Sequence, residues 1–140
     1  MKAWAISLSW VALLTMAACH GNEAGQGTPG IISGQIRVAD ELADKVNDND
    51  VLFIIARKEV GPPLAVKRVL QPTFPLTYSL SESDAMIPGT VFQGEMLIKA
   101  RLDADGNAGP LASGDMSGET SRTVPVGSNG ADITIDTLVP

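Results

Sequence analysis

The sequence predicts an all-β domain of about seven strands, packed as an immunoglobulin-like sandwich behind an export signal and a flexible tether. Three observations carry that prediction. Clusters of Gly, Pro, Asn and Asp recur at the short intervals that separate strands in all-β domains. The segments between them are rich in Val, Ile and Leu, and either alternate with period two or run continuously apolar. Only one stretch, 39–46, has helical spacing, with Leu42 and Val46 four residues apart.

The elements follow in order. Lys2 and the apolar stretch from Ala3 to Leu14 read as the charged and hydrophobic parts of a secretory signal, too short for a spanning helix. Met16-Ala17-Ala18-Cys19 resembles the lipobox of bacterial lipoproteins, with Met16 where Leu is usual. That resemblance implies lipidation of Cys19, which becomes the mature N-terminus and explains an odd cysteine in an exported chain. The alternative is an ordinary signal cleaved nearby, leaving a free thiol. Residues 20–30 hold four glycines and a proline, too little apolar surface to order themselves, and form a tether reaching about 20 Å. The expected organisation is a signal at 1–18, lipidated Cys19 and tether at 19–30, and the domain at 31–140.

Within the domain, Ile31–Val38 alternates around Ile32, Gly34, Ile36 and Val38, and one or two helical turns follow at 39–46. Val51–Ala56 is the expected central strand, buried on both faces. Gly61-Pro62-Pro63 turns into Leu64–Leu70, and Pro72 and Pro75 confine the next strand to Phe74–Leu80. After a long turn at 81–89, Met96, Ile98, Ala100 and Leu102 share one strand face, opposite Leu97, Lys99 and Arg101. A weaker strand is expected in Ser117–Val126, and the alternation of Ile133, Ile135, Thr137 and Val139 gives the last.

Composition excludes most chemistry. The chain has 140 residues, Lys+Arg 10, Asp+Glu 16, one His and one Cys, which allows one ordinary domain. One Cys excludes an internal disulfide, a CxxC redox pair and a cysteine zinc cluster. One His, His20, sits on the tether and argues against a multi-histidine metal site or a His-dependent triad. The net charge of −6 disfavours nucleic acid as a partner. An enzyme is not expected, nor is a resident metal or cofactor.

Four features invite a functional reading. Asp103-Ala104-Asp105-Gly106-Asn107 opens like an EF-hand loop, but the Gly and Glu that such a loop needs are replaced by Ala108 and Gly114. A turn stabilised by local side-chain hydrogen bonds explains the segment better. Met86, Met96 and Met116 with His20 are soft ligands for Cu(I), which keeps a copper-binding lipoprotein open, although core packing accounts for Met96. Arg57, Lys58, Lys67, Arg68, Lys99 and Arg101 all fall on expected strands or their ends. If those strands are neighbours, one outer face carries a cationic stripe that could meet an acidic polypeptide or lipid phosphates. The bland alternative is a solvated face paired with loop carboxylates.

One long pattern goes beyond generic β sequence. Val51-Leu-Phe-Ile-Ile-Ala-Arg57, Gly61-Pro-Pro-Leu-Ala-Val-Lys-Arg68, Leu76-Thr-Tyr-Ser-Leu80 and Ser83-Asp-Ala-Met-Ile-Pro-Gly89 occur in succession. Together with Ile32-Ser33-Gly34 and Thr137-Leu138-Val139-Pro140, they resemble the C-terminal periplasmic domain of the CycH/CcmI-type cytochrome c biogenesis proteins, over about residues 31–140. The resemblance implies a β-sandwich and a place near c-type cytochrome maturation, with maturation proteins or apocytochrome as partners. The family's membrane helices and tetratricopeptide repeats have no counterpart here, so a lipid anchor and tether are expected in their place. The expectation is thus a non-enzymatic, membrane-anchored accessory protein facing the periplasm. His20 after the lipidated Cys, where Asp would favour inner-membrane retention, leans it toward the outer membrane. A structural envelope lipoprotein that reuses the domain is the competing reading. Among the matched residues, Arg57, Lys67 and Arg68 are least explained by packing and are the expected protein contacts.

Overall fold

The computed structural model describes residues 27–140. The signal, Cys19, His20 and most of the tether lie outside the described residues. Among those described, no helix is long and apolar enough to cross a membrane.

Among the described residues, nine strands form two sheets: β1 (Ile31–Val38), β2 (Val51–Arg57), β3 (Pro63–Leu70), β4 (Leu76–Ser81), β5 (Glu95–Asp103), β6 (Met116–Glu119), β7 (Val124–Pro125), β8 (Ile133–Ile135) and β9 (Thr137–Leu138). The small sheet has the order β4-β1-β8, and the large one the order β3-β2-β5-β6-β9, with β7 pairing β5. The core lies between them. Ile32, Ile36, Tyr78, Leu80, Ile133 and Ile135 from the small sheet meet Leu52, Ile54, Ala56, Ile98, Ala100 and Leu102 from the large one. The helical stretch is a 3-10 helix at Asp40–Lys45, whose Leu42 plugs the end of that core.

The expected β-sandwich is the observed fold, with two expected strands divided. The final alternating run is one strand in sequence but two in space. β8 pairs with β1 in parallel, and after Asp136 the chain crosses to the other sheet, where β9 pairs with β6. Gly118 allows the crossing, because a Cβ there would lie 2.0 Å from the Thr134 carbonyl oxygen. The weak run at 117–126 likewise splits into β6 and β7, both partnered by β5.

Gly34 serves a similar close approach on β1. A Cβ at this position would lie 2.3 Å from the Ala131 carbonyl oxygen, which also accepts a 2.6 Å hydrogen bond from the Tyr78 hydroxyl. Burial pushes the pKa of that hydroxyl up, so Tyr78 remains a donor that ties β4 to the loop before β8.

Candidate functional site

The β2 run is central and buried on both faces, as expected, but the two faces are buried differently. Leu52, Ile54 and Ala56 point into the core, while Phe53 and Ile55 point to the outer face of the large sheet. The register places Arg68 of β3 and Arg101 of β5 on either side of Phe53, and Val66 and Lys99 on either side of Ile55. Arg57 ends the same row, opposite Leu97. Phe53 is nevertheless only 6% exposed. What covers it is not a second sheet but two loops.

The first loop is the strap after β4. Ser81 and Asp84 form a reciprocal capping box around a single 3-10 turn, with the Ser81 amide donating to Asp84 Oδ2 at 3.0 Å. The chain then reaches the edge of β3, where Ala85 bridges Ala65 and the Met86 amide donates to the Leu64 carbonyl at 2.9 Å. Leu64 is free to accept because β3 is the edge strand of the large sheet, so its outward carbonyls have no neighbouring strand to pair with. Met86 is thereby delivered to the outer face.

The second loop, 104–114, is built around Arg101. Its guanidinium donates to Asp103, to Asp115 Oδ2 at 2.9 Å, and to the carbonyls of Gly109 and Pro110. Asp115 also accepts from the amides of Ala104 and Ala112. The Asn107 amide donates to both Asp103 Oδ1 and Asp105 Oδ1, so the EF-hand-like segment is the turn its local chemistry favours. Burial, with help from Asp105 and Asp115, holds the Asp103 carboxyl above the ordinary range. The Asn107 amide, then the Asp103 side chain, hold Asp105 below it. Ala108 at the loop tip faces the sheet.

Between strap and loop lies a groove of about 240 Å³, lined by Phe53, Ile55, Pro63, Val66, Met86, Arg101 and Ala108. Three of the sequence blocks singled out above supply five of these seven residues. The first two blocks are the adjacent strands β2 and β3, and the third reaches the groove over the edge of β3.

The three expected contact residues do not share one surface. Arg57 and Arg68 stand on the outer face beside the groove. Lys67 points the other way, and its ammonium donates to the Ser79 carbonyl of β4 and lies 3.5 Å from Asp84 Oδ2. It joins the open edges of the two sheets. Of the wider stripe, β3, β2 and β5 are indeed neighbours, but Arg101 is sequestered under its loop and Lys58 lies in the turn after β2. Lys99 remains with Arg57 and Arg68. Nor does the fold gather the methionines, since Met96 and Met116 are core residues while Met86 is exposed on the far side of the sheet. The groove itself was foreshadowed only by the absence of polar alternation in Val51–Ala56. Register, not sequence, brings Val66 and Met86 to it.

A family model described as the Ig-like domain of cytochrome c-type biogenesis protein H matches residues 32–136. A Pseudomonas aeruginosa protein named cytochrome c-type biogenesis protein CycH is 32% identical over 127 residues, covering 81% of this chain and 30% of that protein. An uncharacterised Aquifex aeolicus protein is 28% identical over 89 residues, covering 62% of this chain and 59% of its own. The chain thus spans about a third and about three-fifths of these two relatives. No solved structure matches.

Proposed function

Because the chain belongs to the family of Ig-like domains of cytochrome c-type biogenesis protein H, we propose that it is a non-enzymatic accessory protein of c-type cytochrome biogenesis. It works by docking a maturation component, or apocytochrome itself, on the outer face of its large sheet. In this reading the chain is exported and lipidated at Cys19. The tether then holds the domain at the periplasmic side of the envelope, with the outer membrane favoured. The observation that carries the docking role is the meeting of three family-like sequence blocks at one apolar groove flanked by Arg57, Arg68 and Lys99. A core needs apolar residues on one face of a sheet. Keeping Phe53, Ile55 and Val66 on the other face, under loops rather than a second layer, suits a surface that meets another protein.

The test is a haem-stained gel of membrane and periplasmic fractions from a strain lacking the gene. Covalent haem bands should fall, and the intact gene should restore them. A gene carrying Arg57→Gln and Arg68→Gln should restore them poorly while its product unfolds at an unchanged temperature. Haem bands unaltered by the deletion, under growth that demands c-type cytochromes, would overturn the reading and favour an envelope role unrelated to haem. Incorporation of labelled fatty acid, lost in Cys19→Ser, tests the anchor separately.

A further inference from the structure

We propose that the groove over Phe53, Ile55 and Val66 receives an apolar side chain from a partner protein whose flanking residues are acidic. This rests on the docking role above and adds the chemistry of the partner. The groove's volume of about 240 Å³ is below the roughly 300–1,000 Å³ of small-molecule and cofactor sites. It suits one or two side chains. Its lining is apolar except for Arg101, whose terminal nitrogens are already engaged by carboxylates and carbonyls of the covering loop. Arg101 Nε is the one buried donor of the lining left without a partner, and the other six lining residues are apolar, so charge selectivity must come from the rim.

The rim is cationic. Arg68 is the direct cross-strand neighbour of Phe53, Lys99 that of Ile55, and Arg57 closes the row. Direct neighbours lie about 5 Å apart between Cβ atoms. Among the described residues, no carboxylate lies within 4.0 Å of Arg68 or Lys99, and the Arg57–Glu119 contact is a loose 3.9 Å. A chain of net charge −6 therefore presents its apolar groove beside a partial ring of positive charge, interrupted where Glu119 stands opposite Lys99. The whole-molecule field repels an acidic partner, but is screened beyond about 8 Å at physiological salt, leaving the ring to act at contact.

Two other modes fit less well. The edge of β3 beside the groove is already taken by Ala85 and Met86, which closes it to an added strand. A lipid surface would meet only the exposed Met86 and Ile87 of the strap, since the groove floor is recessed, with Phe53 buried.

The test uses the isotopically labelled full chain in micelles and three capped hexapeptides. One carries Leu-Phe between pairs of acidic residues, one Leu-Phe between pairs of basic residues, and one Ser-Ser between acidic pairs. Only the first should move amide signals of Phe53, Ile55, Val66, Met86 and Lys99 together. It should bind about tenfold more tightly than the basic peptide at low salt, with the gap closing at high salt. The surface double variant Arg68→Glu, Lys99→Glu should reverse the preference, and Val66→Glu should weaken both. The proposal fails if no peptide moves those signals at millimolar concentration, or if the shifts scatter. It also fails if charge reversal leaves the preference intact, or if anionic vesicles bind through Arg68 and Lys99 while peptides do not. A deletion strain that loses haem bands although the peptides fail would retain the accessory role and discard only this partner chemistry.

Discussion

The two faces of the large sheet carry similar apolar residues under different covers. On the inner face, Leu52, Ile54, Ala56, Ile98, Ala100 and Leu102 are at most 1% exposed and sealed by the small sheet. On the outer face, Phe53, Ile55, Val66 and Leu97 lie under or beside two loops, and the groove remains open. A layer packed by a sheet is closed by many cooperative contacts. A layer covered by loops depends on the few polar anchors that hold the loops in place, and those are Arg101 on one side of the groove and Asp84 on the other.

Removing Arg101 should therefore cost most. Arg101→Met leaves Asp103 and Asp115 buried without their counter-charge, a loss of about 3–5 kcal/mol in urea unfolding at neutral pH. The loss should shrink in acid, where the Asp103 carboxyl protonates. A loss below about 1 kcal/mol would show that loop 104–114 is held by something else. The same corner sets a pH dependence. Asp103 has a raised native pKa, so its contribution to stability is fully present below the ordinary aspartate value and is lost as pH rises through its native value. Asp105 has a lowered pKa, so its contribution is present above the ordinary value and is lost as pH falls through its native value. Thermal unfolding against pH should show a maximum near the ordinary aspartate value, and Asp103→Asn should flatten its alkaline flank and, by removing the Asp103 hydrogen bond to Asp105, soften its acid flank as well.

Next in size is a matched pair on one strand. Ile54→Ala empties a fully buried inner position and should cost about 2–5 kcal/mol, whereas Ile55→Ala, half-buried on the groove floor, should cost about 1 kcal/mol. Peptide binding should show the reverse order, with Ile55→Ala the more damaging. Equal losses of stability would mean that the outer face is as firmly packed as the inner one.

Much of this contrast was readable before any coordinates. Period and turn chemistry placed seven of the strand-bearing segments, and the continuous run at 51–56 announced burial on both sides. What periodicity could not supply was the identity of each cover. The split of 133–139 between sheets depends on Gly118 meeting the Thr134 backbone, a contact between segments that sequence spacing does not relate. The edge position of β3 likewise decides where the strap docks, and strand order is not readable from spacing. Arg101 looked like a surface cation because it alternates with core residues. It is buried because loop 104–114 folds back over it, bringing Asp115 from 14 residues away.

The smallest effects separate two adjacent cations that the sequence treats alike. Lys67→Gln removes the Ser79 and Asp84 contacts that join the open edges of the two sheets, and should cost up to about 1 kcal/mol because that pair is partly exposed. Arg68→Gln should stay within about 0.5 kcal/mol, since its side chain is exposed on the groove rim. Binding of the acidic peptide should rank them the other way, with Arg68→Gln weakening it and Lys67→Gln leaving it nearly unchanged. If Lys67→Gln weakens binding as much as Arg68→Gln, the strap that Lys67 steadies through Asp84 moves with the groove. Met86 is then a mobile wall rather than a fixed one. If the two variants rank as expected, neighbouring positions on β3 divide the work, one closing the sandwich and the other facing the partner.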